Sequence, residues 1–214
     1  MANKMQVVYV TSSDFKRAEN RIFVDKCKLK DGTAVSKHFE FKIVGLDIKE
    51  MLEVKLSVMV QEEVVKAYSQ LKVPCIVEHA GLIFEEYIGD EYPGGLTKPM
   101  WNTLNDRFVD ETHSSGRKAV ARAVIAYCDG TSVRTFVGET AGRLADKPRG
   151  SRAFYWDTVF IPDDPATNGK TYAEIVDDPK LGLEYKVAKL SQSSRAMLAF
   201  LEYLKSNGTP KLWR

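Results

Sequence analysis

The chain has 214 residues, of which 44% are hydrophobic and 28% are charged. This length and composition suit a globular protein with a sizeable core, and we expect one domain over residues 1–214, divided into two lobes. The 31 basic and 29 acidic residues nearly balance, and the basic residues form no stripe of the kind that follows a phosphate backbone. Nucleic acid is therefore not an expected partner.

The cysteine pattern indicates the redox environment. Cys27, Cys75 and Cys128 are far apart, and two of them lie in apolar, strand-like runs. An odd number of separated cysteines in such runs predicts buried free thiols in a reducing compartment. The N-terminus has no signal-peptide core, and no run approaches the ~20 apolar residues that cross a bilayer. We expect a cytoplasmic protein without a membrane partner.

In chain order, the first half alternates strands and helices. Residues 7–10 read as a buried strand, the polar turn at residues 11–14 opens a short helix, and residues 39–44 alternate like a half-buried strand. Residues 51–71 follow helical spacing. A second buried strand begins at residue 73 and is predicted to end within residues 78–82.

The second half begins with a stretch rich in glycine, proline and aromatic residues at positions 83–105, whose role the sequence leaves open. A helix is predicted around residues 101–109, where Trp101 suits a buried face better than a partner contact. Residues 119–129 and 132–142 are predicted to form a hairpin. A polar, turn-rich segment at residues 163–182 precedes an amphipathic helix at residues 187–204.

Aromatic residues beside an acid mark a first candidate site in the segment 150–157. Phe154 and Trp156 would stack on a base, Asp157 would accept from its ring N–H groups, and the preceding glycines would let the backbone approach the ligand. Core packing is the competing interpretation, and composition alone favours it.

The predicted C-terminal helix carries a second candidate site. Ser193, Ser194 and Arg195 lie just inside it, and Lys189 lies one turn earlier, so that these groups could reach one side and hold phosphates or a base carbonyl. Cations on an amphipathic helix more often form a solvated face.

The order of five short motifs resembles the inosine triphosphate pyrophosphatase family. The family's Thr-Gly-Asn-x-x-Lys loop corresponds to residues 11–16, its Leu-Asp-Leu-Pro-Glu segment to residues 46–50, and its acidic strand end to residues 78–82. Its Gly-x-x-x-Gly strand end with the Phe-Gly-Trp-Asp-Pro segment corresponds to residues 138–143 and 154–158, and its Lys-x-x-x-Ser-His-Arg signature to residues 189–195.

The resemblance implies an α/β fold, a long twisted mixed sheet flanked by helices with a cleft between two lobes. It also implies a homodimer that hydrolyses ITP, dITP and XTP to monophosphate and pyrophosphate with Mg²⁺. Carried over by position, the metal ligands are Glu50 and Glu78, and the catalytic positions are Glu78 and His79. The nucleotide-binding residues are Thr11, Ser13, Lys16, Phe154, Trp156, Asp157, Lys189, Ser193, Ser194 and Arg195.

The departures from the family concentrate on the metal and phosphate side. His79 stands where the resemblance expects a carboxylate, and Glu62 or Glu63 stands near a family lysine, whereas Trp156, Asp157 and Arg195 are kept. Losing a carboxylate removes an oxygen ligand and a candidate base, although a neutral imidazole can itself act as a base near pH ~7.

Two functions therefore remain open. In the favoured one, the protein is a catalytically impaired sensor of deaminated purine nucleoside triphosphates that signals to an effector protein, with antiviral defence as one setting. In the other, it is an active, divergent pyrophosphatase of the same nucleotides.

Overall fold

The framework of the computed structural model is a six-stranded mixed sheet in the order β2-β1-β3-β4-β5-β6. Residues 4–208 are described, apart from the side chains of residues 152–154. The strands are β1 (Met5–Val10), β2 (Phe39–Val44), β3 (Cys75–Phe84), β4 (Lys118–Cys128), β5 (Val133–Leu144) and β6 (Phe160–Pro162). β1 pairs in parallel with β2 and β3, and the other pairs are antiparallel. The predicted α/β class with a mixed sheet is confirmed.

Helices flank this sheet. They are α1 (Asp14–Lys26), α2 (Val35–His38), α3 (Leu56–Leu71), α4 (Thr97–Leu104), α5 (Tyr172–Asp177), α6 (Gly182–Tyr185) and α7 (Gln192–Asn207). Short 3₁₀ turns fill several connections, including residues 105–111 and 152–158, and a π-helical turn covers Lys186–Leu190. None of the helices described is long and apolar enough to cross a membrane.

Local sequence explains the two helices nearest the cleft. Ser13 is the N-cap of α1, and its side chain accepts a hydrogen bond from the Lys16 amide, which satisfies an otherwise unpaired donor. On α3 the residues buried against the sheet recur at intervals of three or four, as an amphipathic helix requires. They are Leu56, Met59, Val60, Glu63, Val64 and Ala67.

The long strands β3, β4 and β5 join two hydrophobic regions. At one end, α1 and α7 cover one face of the sheet and α3 covers the other. At the other end, a separate cluster packs around Leu82, Phe84 and Trp101. The two regions form the two lobes, and the buried position of Trp101 confirms the predicted buried helix face.

The cleft forms where the sheet divides. β1 pairs with β3 only at Cys75 and Ile76, whereas β3 stays paired with β4 as far as Phe84. The middle of β3 therefore loses its neighbour on one side, and a cleft opens beside residues 77–80.

Most predicted elements are present, but several boundaries differ from the prediction. β3 does not end within residues 78–82 but continues to Phe84, and the helix predicted over residues 51–71 begins at Leu56. The helix predicted around residues 101–109 is α4, which ends at Leu104. Residues 152–158 form a 3₁₀ helix, and the segment 163–182, predicted to be turn-rich, contains α5. The C-terminal helix begins at Gln192, because its predicted first turn is a separate π-helical turn that ends at Ser191. The three cysteines are free and buried, as predicted.

Candidate functional site

The cleft between the lobes has a volume of about 840 Å³, which is within the usual range of small-molecule sites. Its walls are the β1–α1 turn, the loop before α3, the middle of β3, α4, residues 155–157 and the start of α7. α4 reaches the cleft because Gly81 on β3 lets it approach: a Cβ there would lie 2.1 Å from the Gly94 carbonyl oxygen and 2.8 Å from Thr97 Oγ1.

Polar and basic groups meet at one end of the cleft. Thr11, Ser13 and Lys16 all line it at the start of α1, where the dipole of a 13-residue helix favours negative charge. The Thr11 hydroxyl oxygen accepts from the Ser13 amide at 3.2 Å. Lys16 Nζ donates to the backbone carbonyl of Glu78, which fixes the ammonium beside β3.

The Glu78 carboxylate is occupied by two hydroxyl donors. Tyr9 donates to Oε2 at 2.6 Å, and Ser193 donates to Oε1 at 2.7 Å. Burial, followed by the nearby Glu78 charge, raises the pKa of Tyr9 well above its usual value, so that the phenol stays a donor. Glu78 therefore links β1 to α7. Its role as a metal ligand stays a prediction, and each of its carboxylate oxygens already accepts one hydrogen bond.

His79 faces the opposite side of β3 from Glu78, because successive side chains of a strand alternate. There its Nε2 lies 2.7 Å from Oε2 of Glu63 on α3. Glu50, on the loop before α3, completes a group whose three ligand atoms lie within 4.8 Å of one another. Glu63 was interpreted from the sequence as a reversed charge against phosphate, but the structure makes it the partner of His79.

This group suits a divalent cation. Carboxylate oxygens and an imidazole nitrogen are common ligands of such ions, and Glu63 Oε1 is buried without a hydrogen-bond partner among the described residues. Glu50, which was predicted as a ligand, lies in this group with Glu63 and His79, whereas Glu78 lies outside it.

At the other end of the cleft, Asp157 is buried and paired. Lys186 donates to its Oδ2 and also contacts Glu19 at 2.9 Å. Burial alone would lower the pKa of Lys186, but Asp157 and Glu19 outweigh it and hold that pKa well above its usual value. Lys186 therefore remains charged, and one carboxylate oxygen of Asp157 is already engaged.

Aromatic side chains border the same end. Trp156 is only 8% exposed and packs edge-on against Phe160, at 6.2 Å between ring centroids, yet it also lines the cleft. Tyr155 contacts Phe15 of α1 across the opening, at 6.3 Å between centroids. Core packing of Trp156 is therefore observed, whereas its stacking on a base stays a prediction that its place on the cleft wall permits. The Phe154 side chain lies outside the described residues.

The Ham1 family model matches residues 7–203, which is most of the chain. The chain belongs to the Ham1 family. The dITP/XTP pyrophosphatase of Methanopyrus kandleri is 32% identical over 171 residues, which are 78% of this chain and 85% of that protein. The inosine triphosphate pyrophosphatase of Kluyveromyces lactis is 28% identical over 211 residues, 96% of this chain and 98% of that protein.

Solved Ham1 structures share the fold. The HAM1 protein from Coxiella burnetii superposes with a TM-score of 0.64 at 18% identity, covering 93% of this chain and 99% of its own. The Ham1 protein of Staphylococcus aureus gives 0.63 at 15% identity, covering 94% and 99%. At these identities the likeness establishes the Ham1 fold and nothing finer.

Three predicted contacts of the C-terminal signature lie away from the cleft in this Ham1 chain. Arg195 is exposed and donates to the Glu139 carbonyl of β5. Lys189 is also exposed. Burial raises the pKa of Cys27 at the end of α1, and the nearby Lys189 charge partly opposes this rise. Ser194 is buried beside a smaller adjoining cavity, so that only Ser193 of the four residues lines the main cleft.

Sequence reasoning missed Lys186, Glu19 and the role of Glu63. Lys186 precedes Lys189 by one turn, and only the π-helical turn decides which lysine faces the cleft. A signal for Glu63 was present, because it falls among the apolar positions of α3, where an unpaired acid is costly. Nothing in the local sequence marks Glu19 as the partner of a residue 167 positions later.

Proposed function

We propose that this Ham1-family protein binds deaminated purine nucleoside triphosphates, such as ITP, dITP and XTP, in the cleft. The observation that carries the proposal is that the two ends of the cleft, within a Ham1 fold, differ in their chemistry. The start of α1 favours phosphate at one end, and Trp156 beside the Asp157–Lys186 pair offers an aromatic edge and hydrogen-bonding groups to a base at the other.

We further propose that hydrolysis is impaired and that the protein acts as a sensor. His79 stands at the position where the family resemblance expects an acid, and its ring nitrogen is engaged by Glu63 at 2.7 Å. A nucleotide that is bound but not hydrolysed remains available as a signal. Because a ligand shifts the protein toward the conformation that it binds more tightly, the bound nucleotide would hold the sensor in one conformation.

An active pyrophosphatase is the second candidate. It is supported by the convergence of Glu50, Glu63 and His79 beside the phosphate end and by the printed names of the relatives. In this mechanism the α1 N-terminus and Lys16 hold the phosphates, and His79 takes the proton of the attacking water with Glu63 orienting its ring. A bound divalent ion would neutralise phosphate charge and acidify that water.

One experiment separates the two candidates. The purified protein is incubated with ITP, dITP, XTP and dATP in the presence of Mg²⁺, and pyrophosphate release and binding are measured in parallel. The sensor proposal expects selective binding of the three deaminated nucleotides with little release. Rapid, selective release contradicts the sensor role and supports the enzyme, whereas absence of binding to all four contradicts both.

The assembly is also a proposal. By resemblance we propose a homodimer, and the sensor role requires an effector protein, with antiviral defence as one setting. Sedimentation of the purified protein tests the dimer, and a monomer at all concentrations would contradict it. The cytoplasmic location stays a prediction.

A further inference from the structure

We infer that Glu50, Glu63 and His79 form a binding site for a divalent first-row transition metal ion, in preference to Mg²⁺. The inference goes beyond the proposed nucleotide function, because it concerns the ion that this chain's own side chains select. It also assigns a ligand role to Glu63, which the sequence did not place at a metal, beside His79, which stands at a metal-ligand position of the family.

The spacing of the three groups suits one ion. Their ligand atoms lie within 4.8 Å of one another. Metal bonds to imidazole nitrogen and carboxylate oxygen are about 2.0–2.2 Å long, so that two donors on opposite sides of an ion are separated by roughly 4 Å. Glu50 is exposed on a loop, and a small movement of its side chain brings all three donors within reach.

An unpartnered buried oxygen points independently to a cation. The Glu63 side chain is only 9% exposed, and its Oε1 has no hydrogen-bond partner among the described residues. Leaving a buried acceptor unpaired destabilises the folded protein, and more so when the group is charged. His79 satisfies only the other oxygen, Oε2, so that a metal bond would compensate the cost at Glu63.

The excess of acidic side chains in the cleft also favours a bound cation. Among the described side chains that line it, six carboxylates face three lysines, Lys16, Lys98 and Lys186. Lys186 is paired with Asp157 and Glu19, so that among these described lining side chains Lys16 and Lys98 face the other four carboxylates. A triphosphate entering such a cleft meets net negative charge unless an ion neutralises part of it.

The donor set decides which ion. Mg²⁺ favours oxygen ligands in near-octahedral geometry and retains several waters. An imidazole nitrogen suits zinc and similar transition metals, and their affinity for a mixed nitrogen and oxygen site rises from Mn²⁺ to Zn²⁺. On metal binding, His79 Nε2 and Glu63 Oε1 would each offer a lone pair to the ion, and any proton on Nε2 would pass to solvent.

The test measures metal binding without nucleotide. Zn²⁺, Mn²⁺ and Mg²⁺ are each titrated into the full chain by isothermal calorimetry, and the Mn²⁺ complex is studied by pulsed electron paramagnetic resonance. We expect Zn²⁺ to bind most tightly, Mn²⁺ next, and Mg²⁺ at least about tenfold more weakly than Mn²⁺. The bound Mn²⁺ should show coupling to a ¹⁴N nucleus.

Variants assign the ligands. His79→Asp should abolish the ¹⁴N coupling of bound Mn²⁺, and this variant should bind Mg²⁺ at least as tightly as Mn²⁺. Glu63→Gln should weaken the binding of Zn²⁺ and Mn²⁺ about 10- to 100-fold. Glu62→Gln is the matched control on the same helix, since Glu62 pairs with Lys66 at 2.5 Å. His113→Asn is the control for an exposed histidine, and both controls should bind like the native chain.

Three results would overturn the inference: Mg²⁺ binding as tightly as Mn²⁺, no ¹⁴N coupling in the native chain, or equal weakening in the Glu62 control. If a variant fails to fold, as far-ultraviolet circular dichroism would show, the order of affinities and the ¹⁴N coupling of the native chain still decide. Nucleotide binding in the presence of EDTA is measured separately, so that failure of the metal site and failure of the nucleotide proposal are distinguishable.

Discussion

The Glu63–His79 contact joins an acid on α3 to an imidazole on β3, at 2.7 Å from each other. The family resemblance expects an acid at the position of His79 and a lysine near Glu62 or Glu63. In this chain the imidazole is the partner of the buried Glu63, and removing one member of a buried pair is costly.

His79→Asp is the residue-scale test of catalysis. If the missing carboxylate limits turnover, the substitution should raise pyrophosphate release from dITP with Mg²⁺ by roughly 10- to 100-fold, because an oxygen ligand is restored. Release is followed with a coupled phosphate assay, and Glu62→Gln serves as the control. An unchanged rate would show that His79 does not limit hydrolysis.

Lys186→Met tests the buried charge cluster. Removing the ammonium leaves Asp157 and Glu19 without their partner, and breaking a buried pair typically costs about 3–5 kcal/mol of unfolding free energy. Urea denaturation near pH ~7 measures this loss. Lys205→Met is the control, because its partner Asp31 is half exposed and the cost there should stay below about 1 kcal/mol.

The same variant has a pH dependence of known sign. Burial raises the pKa of Asp157, and Lys186 opposes that rise, so that the pKa increases further when the lysine is absent. A group whose folded-state pKa is raised stabilises the fold at low pH and loses that effect as pH rises. The loss of unfolding free energy in Lys186→Met, relative to the native chain, should therefore become smaller as the pH falls from about 7 to about 5. A deficit that grows on acidification would contradict this.

Tyr155 tests backbone strain at the cleft opening. Its φ of 51° lies in the left-handed region, which costs a residue with a Cβ roughly 1–2 kcal/mol. Tyr155→Gly and Tyr155→Ala both remove the ring that contacts Phe15, but only glycine relieves the strain. The glycine variant should be the more stable of the two by about 1 kcal/mol in urea denaturation. An alanine variant of equal or higher stability would place the strain elsewhere.

At the scale of elements, Gly138 on β5 sets the position of α7. A Cβ there would lie 2.1 Å from the Gln192 carbonyl oxygen and 2.4 Å from the Ala196 amide. Both atoms belong to the backbone at the start of the helix and cannot turn away. α7 in turn carries Ser193, which donates to Glu78 at 2.7 Å.

Gly138→Ala should therefore push α7 outward. We expect a loss of about 1–3 kcal/mol of unfolding free energy, as for other insertions into packed regions, together with weaker dITP binding. Gly89→Ala is the control, because a Cβ at Gly89 meets no atom within 4 Å. Equal stability of the two variants would show that α7 accommodates the methyl group.

Elements with clear periodicity were predictable. β2 was placed at residues 39–44 because its residues alternate, and the β4–β5 hairpin because apolar runs flank a glycine turn. β3 was cut short because Glu78 and His79 resemble the polar end of a strand. They are polar in mid-strand because the cleft lies beside them, so that function overrides the local pattern there.

The candidate site was only partly predictable for a similar reason. Thr11, Ser13 and Lys16 are identified by resemblance to the family's Thr-Gly-Asn-x-x-Lys loop, and they lie where β1 leads into α1. The choice of Lys186 over Lys189 depends on a π-helical turn, and the Glu63–His79 contact depends on how α3 packs on β3. Neither feature has a local sequence signature, since both arise from tertiary packing.

At the scale of the molecule, the cleft separates two hydrophobic regions. A nucleotide in the cleft would contact the start of α1 from one region and α4 from the other. A ligand that binds only the folded state stabilises it by about 2.7 kcal/mol at 100 times its Kd.

We therefore expect saturating dITP to raise the Tm by about 5–10 °C in a protein of this size. Differential scanning fluorimetry measures the shift, with dATP as the control that lacks the deaminated base. An equal shift with both nucleotides would contradict selectivity for deaminated purines.

The long strands β3, β4 and β5 have a mechanical consequence. Each is anchored in a core at both ends, and the cleft lies beside the middle of β3. Phe84 is five residues beyond His79, so that the strand end is about 17 Å from that midpoint. A bend of about 5° at the midpoint would move the end by about 1.5 Å. If the sheet bends when the cleft closes around a ligand, the largest movement would therefore occur at the outer surfaces of both lobes.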